Sequence, residues 1–188
     1  MQQLIDRIYE AAFIPELWPS VIEGIGQISR AKSGSLLIMD GASEPRWKAT
    51  DLIEEALGSF IETGTWRTCA MAATAPRLLR QGFVLDAEVL EPDVLALDPA
   101  HRMQRALGLG SQLACVIEMP TAEFVVWTLE HELHAGAPGS ETVERLNELI
   151  GHLSRAGLMA ARLGLEKARA TVFALQSLGL PAAVLSGS

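Results

Sequence analysis

The sequence predicts an α+β domain in which helices pack on an antiparallel sheet. Two pairs of apolar, β-rich segments are each separated by a tight-turn sequence, so each pair is expected to form an antiparallel hairpin. Helical patterns precede, separate and follow these pairs. The last of them runs without proline from Ser140 to about Leu178 and predicts a very long terminal helix.

The N-terminal part predicts two helices followed by a hairpin. Apolar residues recur at helical spacing over 3–12, and a second helix is expected to begin near Pro15, whose missing N–H does no harm in a first turn. An apolar run over 33–40 and an alternating segment over 46–50 predict two strands. Residues 41–45 have the composition of a turn, so these strands are expected to pair.

The middle of the chain alternates helical and loop-like patterns. The predictions, in order, are a helix over 52–62, an aperiodic stretch over 66–76, a short strand over 82–85, a loop with a short helix over 86–99 and a helix over 101–107. Asp98 and Pro99 favour the start of that last helix, because Asp caps a first turn and Pro suits it.

The strongest β pattern follows. Residues 112–119 and 123–131 are rich in Val, Leu, Trp and Phe, and residues 120–122 between them have the length of a hairpin turn. Ser140 is expected to be the N-cap of the terminal helix, with acidic residues near its positive end.

Composition and charge exclude several classes of protein. The chain has 188 residues, of which 49% are apolar, and 15 Lys and Arg stand against 23 Asp and Glu, for a net charge of −8. It has no cluster of basic residues of the kind that displaces counterions from DNA. Its longest apolar runs are far shorter than the roughly 18 residues of a membrane span, and charges interrupt the N-terminal segment where a secretory signal would be apolar. We expect a cytoplasmic domain that binds neither DNA nor membranes itself.

The histidines do not form a recognisable metal site. His131 and His134 are one residue short of the His-Glu-x-x-His spacing and fall at a strand end, so a charged surface turn is expected instead. His101 and His152 stand alone and are predicted to lie at helix surfaces or boundaries. Nucleophile-elbow and phosphate-loop motifs are missing as well. The sequence predicts no catalytic residues, no metal and no cofactor.

The cysteines and paired carboxylates give weaker signals. Cys115 lies in the most apolar strand, which favours an inert buried thiol, whereas Cys69 lies near Arg67 and is the alternative candidate for a redox sensor. Glu130 and Glu132 would share one strand face, and they are expected to be solvated rather than to act as an acid and base pair.

A ligand pocket is predicted around three tryptophans. Trp47, Trp66 and Trp127 lie on or near predicted strands, and apolar clefts between a sheet and its helices often hold small ligands. Together with Cys115 they form the predicted lining of a pocket for an unidentified small-molecule effector. The alternative is that these rings are only core and rim.

The terminal helix predicts self-association. A seam of apolar and small residues follows alternating steps of three and four along it: Leu146, Ile150, Leu153, Gly157, Ala160 and Gly164. A helix of this length overhangs a domain of this size, so a homodimer through this seam is expected. The alternative is that the helix packs on its own sheet and N-terminal helices. The apolar run after Gly179 predicts the start of a truncated following domain, which divides the chain into 1–178 and 179–188.

Both ends of the chain resemble one family. The segment LIDRIYEAAF at 4–13, followed by PELWP at 15–19, resembles the opening of the N-terminal sensory region of bacterial LuxR-type helix-turn-helix transcription regulators. Residues 163–181 resemble the linker helix of such proteins. The resemblance implies a GAF- or PAS-like domain that senses a signal and dimerises, with DNA bound only by a C-terminal domain outside this sequence. No DNA-contact or ligand residue is carried over. The alternative function is a stand-alone dimeric interaction scaffold without a ligand, and a small enzyme using Cys69 or the histidines is a third.

Overall fold

The computed structural model describes residues 1–40, 43–79, 81–120 and 123–183. It contains a five-stranded antiparallel sheet in the order β2-β1-β5-β4-β3. The strands are β1 (Ser33–Met39), β2 (Arg46–Ala49), β3 (Val84–Leu85), β4 (Leu109–Glu118) and β5 (Phe124–Glu132). Both predicted hairpin pairings are confirmed, although residues 41, 42, 121 and 122 of the predicted turns lie outside the described residues. The central pairing of β1 with β5 joins the two hairpins.

Helices cover both faces of this sheet. They are α1 (Gln2–Ala11), α2 (Trp18–Ser29), α3 (Asp51–Glu62), α4 (Ala70–Leu78), α5 (Asp86–Val89), α6 (Pro92–Leu97), α7 (Pro99–Ala106), α8 (Ser140–Asn147) and α9 (Ile150–Ser177), with 3₁₀ turns at Pro15–Leu17 and Thr65–Thr68. The α+β prediction is therefore confirmed, with helices on two faces.

The main core lies between one face of the sheet and the helices α1, α2, α8 and α9. Alternate strand residues such as Leu113, Cys115 and Leu129 are buried there. The Trp127 ring meets the Trp18 ring edge to face, with centroids 5.6 Å apart. This geometry suits the quadrupoles of two aromatic rings and fixes α2 on the centre of the sheet.

Glycine permits the close approach of α2 to β1. A Cβ atom added to Gly34 would lie 2.7 Å from Cγ2 of Ile22 and 2.7 Å from the backbone oxygen of Thr128. Neither the buried Ile22 side chain nor the β5 backbone has room to move. The contact between helix and sheet therefore depends on the absence of a side chain at residue 34.

The second core lies on the opposite face, under α3, α7 and the turn Thr65–Thr68. Buried residues on α3 follow helical spacing: Ile53, Leu57 and Ile61. They pack with Trp66, Cys69 and Leu109. Residues 70–78, which lack a sequence period, form α4 on this side.

Two details of the helix ends differ from prediction. Gly139 rather than Ser140 precedes the first turn of α8, and the terminal pattern is not one helix but two, separated at Glu148 and Leu149. The cap at Asp98 is confirmed, since its side chain accepts hydrogen bonds from the backbone N–H groups of Ala100 and His101.

The C-terminal helix α9 has 28 residues and a length of about 42 Å. Gly179 ends it with a left-handed φ of 75°, and the N–H of Leu180 bonds back to the Leu175 carbonyl, as in a Schellman cap. Residues 180–183 have no regular structure, and 184–188 of the predicted following segment lie outside the described residues. Across the described part of the chain, no helix is both long enough and apolar enough to traverse a bilayer.

Candidate functional site

A cavity of about 100 Å³ lies between the sheet and the helices of the second core. Its walls are mostly apolar side chains from β1, α3 and α7, among them Leu37, Met39, Ile53, Leu57, Phe60 and Met103. Trp66 and Cys69 close it from the loop that follows α3. This volume is smaller than that of an engineered apolar cavity of about 150 Å³ that binds benzene, so a ligand of that size or larger requires the lining side chains to move.

The floor of the cavity changes from polar to apolar along the strands. The register places three rows of residues across β1, β5 and β4. The rows are Ser33–Glu130–Gln112, then Ser35–Thr128–Ala114, then Leu37–Val126–Val116. Since side chains alternate along a strand, all three rows face the same side and lie about 7 Å apart. The floor is therefore amphipathic.

The polar row is a hydrogen-bonded unit. Glu130 is completely buried; its Oε2 accepts from Ser33 Oγ at 2.6 Å and its Oε1 from Gln112 Nε2 at 3.1 Å. In the next row, the hydroxyl oxygens of Ser35 and Thr128 lie 2.7 Å apart. A carboxylate has about four acceptor positions, so these two donors leave part of the capacity of Glu130 unused.

Two further polar atoms at the cavity are unpartnered. Gln104 on α7 is 2% exposed and Trp66 is 7% exposed, and both line the cavity. Gln104 Oε1 and Trp66 Nε1 have no hydrogen-bond partner among the residues described. A buried polar atom without a partner costs stability. These atoms therefore offer one acceptor and one donor to a bound molecule.

A buried ion cluster holds the polar end of the cavity in place. His101 on α7 lies between two carboxylates: Nε2 is 2.7 Å from Asp86 Oδ2 and Nδ1 is 3.6 Å from Asp98 Oδ1. Asp86 Oδ2 also accepts from the backbone N–H of Gln112 at 3.0 Å, and Asp98 Oδ2 accepts from that of Ala70 at 2.5 Å. The cluster thus ties α4, α5 and α7 to β4.

The carboxylates keep His101 charged at neutral pH. Burial alone would lower the pKa of His101, but Asp86 and Asp98 outweigh that effect and raise the pKa to about 9. Burial likewise opposes ionisation of Asp98, yet the hydrogen bonds it accepts, first from His101 and then from Ala70, hold its pKa below the usual value. Two carboxylates and one imidazolium leave this cluster with a net negative charge.

The structure places the four predicted pocket residues in different parts of the molecule, and only one of them lines the cavity. Trp66 lines the cavity. Trp47 lies on the same face of the sheet but packs on α3, where a Cβ on Gly58 would lie 3.3 Å from its ring, and it does not line the cavity. Trp127 and Cys115 point to the opposite face and lie in the main core. The period-two alternation of β5 puts Thr128 rather than Trp127 at the cavity.

The thiols differ in their surroundings. The predicted burial of Cys115 is confirmed, and this burial raises the pKa of its thiol to about 12. Its inertness stays a prediction. Cys69 is at the cavity wall, and its Sγ donates to the backbone oxygen of Trp66 at 2.8 Å.

The predictions for several polar residues were wrong. His101 and His131 are 4% and 2% exposed rather than at the surface, and His131 Nδ1 lies 3.2 Å from the Ser111 carbonyl oxygen. Glu130 is buried rather than solvated. One signal in the sequence was overlooked: Glu130 falls on the same period-two face as Val126 and Thr128 within an apolar strand. Within the described ranges, no three His, Cys, Asp or Glu side chains are arranged to hold a metal ion.

The predicted dimer seam is mostly covered by the chain itself. Leu146 and Leu153 are buried in the main core, and Ile150 and Ala160 pack against its edge. A Cβ on Gly157 would lie 3.3 Å from Met119, whereas one on Gly164 would meet open space. Leu146 and Leu153 are therefore not available to a second chain, because this part of the helical stripe faces the sheet and the N-terminal helices.

A partly exposed apolar stripe remains on the outer half of α9. The positions Ala161, Leu165, Ala168, Val172 and Leu175 repeat at steps of four and three; we call them the outer stripe. Leu165 is 43% exposed, and the neighbouring Phe173 is 73% exposed. The outer stripe is rotated around the helix from the predicted seam.

No protein family and no curated protein sequence matches the chain, but solved structures do. The VqsR LBD domain from Pseudomonas aeruginosa matches with a TM-score of 0.68 and 13% identity, over 86% of this chain and 96% of that one. CepR2 from Burkholderia cenocepacia, an N-acylhomoserine lactone-dependent LuxR-family transcription factor, matches with a TM-score of 0.59 and 14% identity, over 84% and 95% of the two chains.

A third similar structure is the GAF domain/HD domain protein from Geobacter sulfurreducens, with a TM-score of 0.52 and 11% identity over 86% and 98% of the two chains. At these identities the likeness concerns the fold. The chain has the GAF-like α+β fold that the ligand-binding domains of LuxR-type regulators also have.

Proposed function

We propose that this chain is the effector-binding, regulatory domain of a LuxR-type transcription regulator and that the cavity under α3 and α7 is its effector site. The carrying observation is the amphipathic floor of that cavity, with Glu130 and Gln112 at one end and Leu37, Val126 and Val116 at the other. The dependence of CepR2 on an N-acylhomoserine lactone supports the choice of a small amphipathic effector over a scaffold without a ligand.

The orientation of the effector follows from the rows. A polar head would lie near the Glu130 row, where the carboxylate has unused acceptor positions, and an apolar tail would extend over the Leu37 row. The apolar tail would contribute to the binding free energy because its surface is removed from water. The effector also widens the cavity on binding by displacing flexible side chains such as Met39 and Met103.

Thermal unfolding with a series of N-acylhomoserine lactones and short-chain amphiphiles tests this proposal. A ligand at a hundred times its Kd stabilises the chain by about 2.7 kcal/mol. Val126→Trp fills the apolar end and should abolish that stabilisation, while Leu97→Trp, at a 66% exposed site on α6, should not. No stabilisation by any member of the series, with the fold intact, would contradict an effector site.

We propose further that two copies pair through the outer stripe of α9. Its steps of four and three match the spacing at which helices pack together in coiled coils. In the single chain Leu165 is exposed and the other four members are half-buried. An effector-dependent change in this pairing would then control DNA binding by a separate domain, since the acidic charge of this chain gives it no affinity for phosphates of its own.

Light scattering tests the pairing. Val172→Glu places a charge within the outer stripe and should convert dimers to monomers, whereas Gln176→Glu, on an exposed part of the same helix, should leave the mass unchanged. A monomeric natural chain at high concentration would contradict the pairing and leave the effector site unaffected.

A further inference from the structure

We propose that the effector of this cavity carries a protonated amine as its polar head and that Glu130 is the residue that selects it. The inference rests on the proposed function of the cavity and goes beyond it by naming the chemical class of the ligand: an alkyl or aryl amine with one positive charge and an apolar body.

Glu130 is a buried acid without a basic partner among the described residues. It is completely buried, and none of the ion pairs among the described residues includes it. The nearby Lys32 pairs instead with the exposed Glu132, at 3.8 Å. An uncompensated buried carboxylate is costly unless a cation accompanies it. A cationic ligand supplies the missing charge.

The hydrogen-bond partners of Glu130 are both donors. The Gln112 amide nitrogen can only donate, and it donates to Oε1, while the Ser33 hydroxyl donates to Oε2. A carboxylate has about four acceptor positions, so about two are not used by these donors and could accept from a ligand. An ammonium group has three N–H donors and no acceptor, which matches an acceptor-rich site.

A second hydrogen-bond acceptor is available to an ammonium head group. Gln104 Oε1 lines the same cavity, is buried, and lacks a hydrogen-bond partner among the described residues. Because it accepts and does not donate, it suits an N–H group better than a carbonyl or carboxylate of a ligand. Among the described residues that line the cavity, Trp66 carries an unpartnered donor, Nε1, which suits an acceptor elsewhere on the ligand.

The groups around the polar end of the cavity, at Glu130 and Gln112, also carry a net negative charge. Gln112 connects two acids, since its side chain bonds Glu130 and its backbone N–H bonds Asp86. Asp86, Asp98 and the His101 imidazolium together leave one negative charge beside the cavity. Anionic ligands such as fatty acids or phosphates are therefore repelled, and a cation is attracted.

The apolar rows limit the ligand to one charge. Beyond Thr128 the floor consists of Ala114, Leu37, Val126 and Val116, and the opposite wall consists of α3 side chains such as Ile53 and Leu57. A second ammonium group placed there would lose its hydration without gaining a partner. A monoamine with a hydrocarbon body fits, and a polyamine does not.

A matched series of ligands with one tail and different heads tests the inference: hexylamine, hexanol, hexanoic acid and N-hexanoyl homoserine lactone. Isothermal titration of the natural chain should give a Kd for hexylamine at least about tenfold below that for hexanol, as expected for a hydrogen bond to a charged group. Hexanoic acid should bind more weakly than hexanol.

The variant Glu130→Gln removes the charge and keeps the shape. It should weaken hexylamine binding by about tenfold or more and change hexanol binding by less than about threefold. Glu132→Gln is the matched control, because Glu132 lies on the same strand and is exposed. If Glu130→Gln does not fold, the ratio of the hexylamine and hexanol constants in the natural chain decides the question by itself.

The outcomes separate this inference from the proposed function. Hexanol or the lactone binding as tightly as hexylamine, or an unchanged head-group preference in Glu130→Gln, would overturn amine selection and leave the cavity as an effector site. Failure of all four compounds to bind at millimolar concentration would overturn both.

Discussion

The imidazole Nε2 of His101 lies 2.7 Å from Oδ2 of Asp86, and both side chains are at least 95% buried. The same Asp86 oxygen accepts the backbone N–H of Gln112, whose side chain bonds Glu130 in the cavity. An ion pair outside the cavity thus fixes the residues at its polar end. The position of α7, and with it Gln104, depends on this pair.

Removal of His101 should destabilise the whole domain. His101→Leu leaves Asp86 and Asp98 buried without a cation, and breaking a buried ion pair from one side costs about 3–5 kcal/mol. Urea unfolding followed by circular dichroism measures the loss. His134→Leu is the control, because His134 is exposed and should change the stability by less than about 0.5 kcal/mol. Equal effects of the two substitutions would contradict the role of the cluster.

The stability should fall at alkaline pH because of His101. Its pKa is raised from 6.5 to about 9 in the folded chain, so its contribution is fully present below pH 6.5 and is lost as the pH rises through 9. At about 1.4 kcal/mol per unit, the loss is about 3 kcal/mol. Urea midpoints measured from pH 6 to pH 9.5 give this slope. This loss of stability with rising pH should be absent in His101→Leu. If it persists there, another titrating group causes it.

Replacement of two glycines by alanine should change the stability of the chain in opposite directions. Gly34→Ala puts a methyl group 2.7 Å from the β5 backbone and should cost about 1–3 kcal/mol, as overpacking does. Gly164→Ala places the same group in open space within α9 and should stabilise the helix by about 0.5–1 kcal/mol. Thermal unfolding of both variants at equal concentration compares them. A neutral Gly34→Ala would mean that α2 does not pack this closely on the sheet.

The two thiols should differ in reactivity. Cys115 is 1% exposed and its pKa is raised to about 12, so iodoacetamide should not modify it in the folded chain. Cys69, at the cavity wall, should react slowly and should be protected by any ligand that occupies the cavity. Mass spectrometry of peptides after timed labelling gives both rates, and labelling in urea shows that each thiol can react. Faster labelling of Cys115 than of Cys69 would contradict the assignment of faces.

Local patterns were sufficient to predict most of the helices and strands. The hairpins β1–β2 and β4–β5 and the helices α1, α3 and α7 follow from periodicity, turns and caps close together in the sequence. Helix α4 was missed because tertiary packing, for example the burial of Leu78, stabilises a segment that has no period of its own.

The candidate site could not be predicted because its parts are distant in the sequence. Glu130 is paired with Ser33 through a strand contact that spans 97 residues, and no local pattern specifies that β1 lies beside β5. The same limit explains His101, whose partner Asp86 comes from another helix. For Trp127, the alternation of side chains was visible, but which face would hold the cavity depends on where the helices pack.

The alternation along β5 also places the cavity and the main core back to back. Thr128 and Glu130 reach into the cavity, while their immediate neighbours Trp127 and Leu129 hold the layer to which α1, α2 and α9 are attached. Only a single thickness of polypeptide separates the two sides. Since the Trp127 ring meets the Trp18 ring of α2, a ligand that shifted this strand would also move the helices packed on its other face.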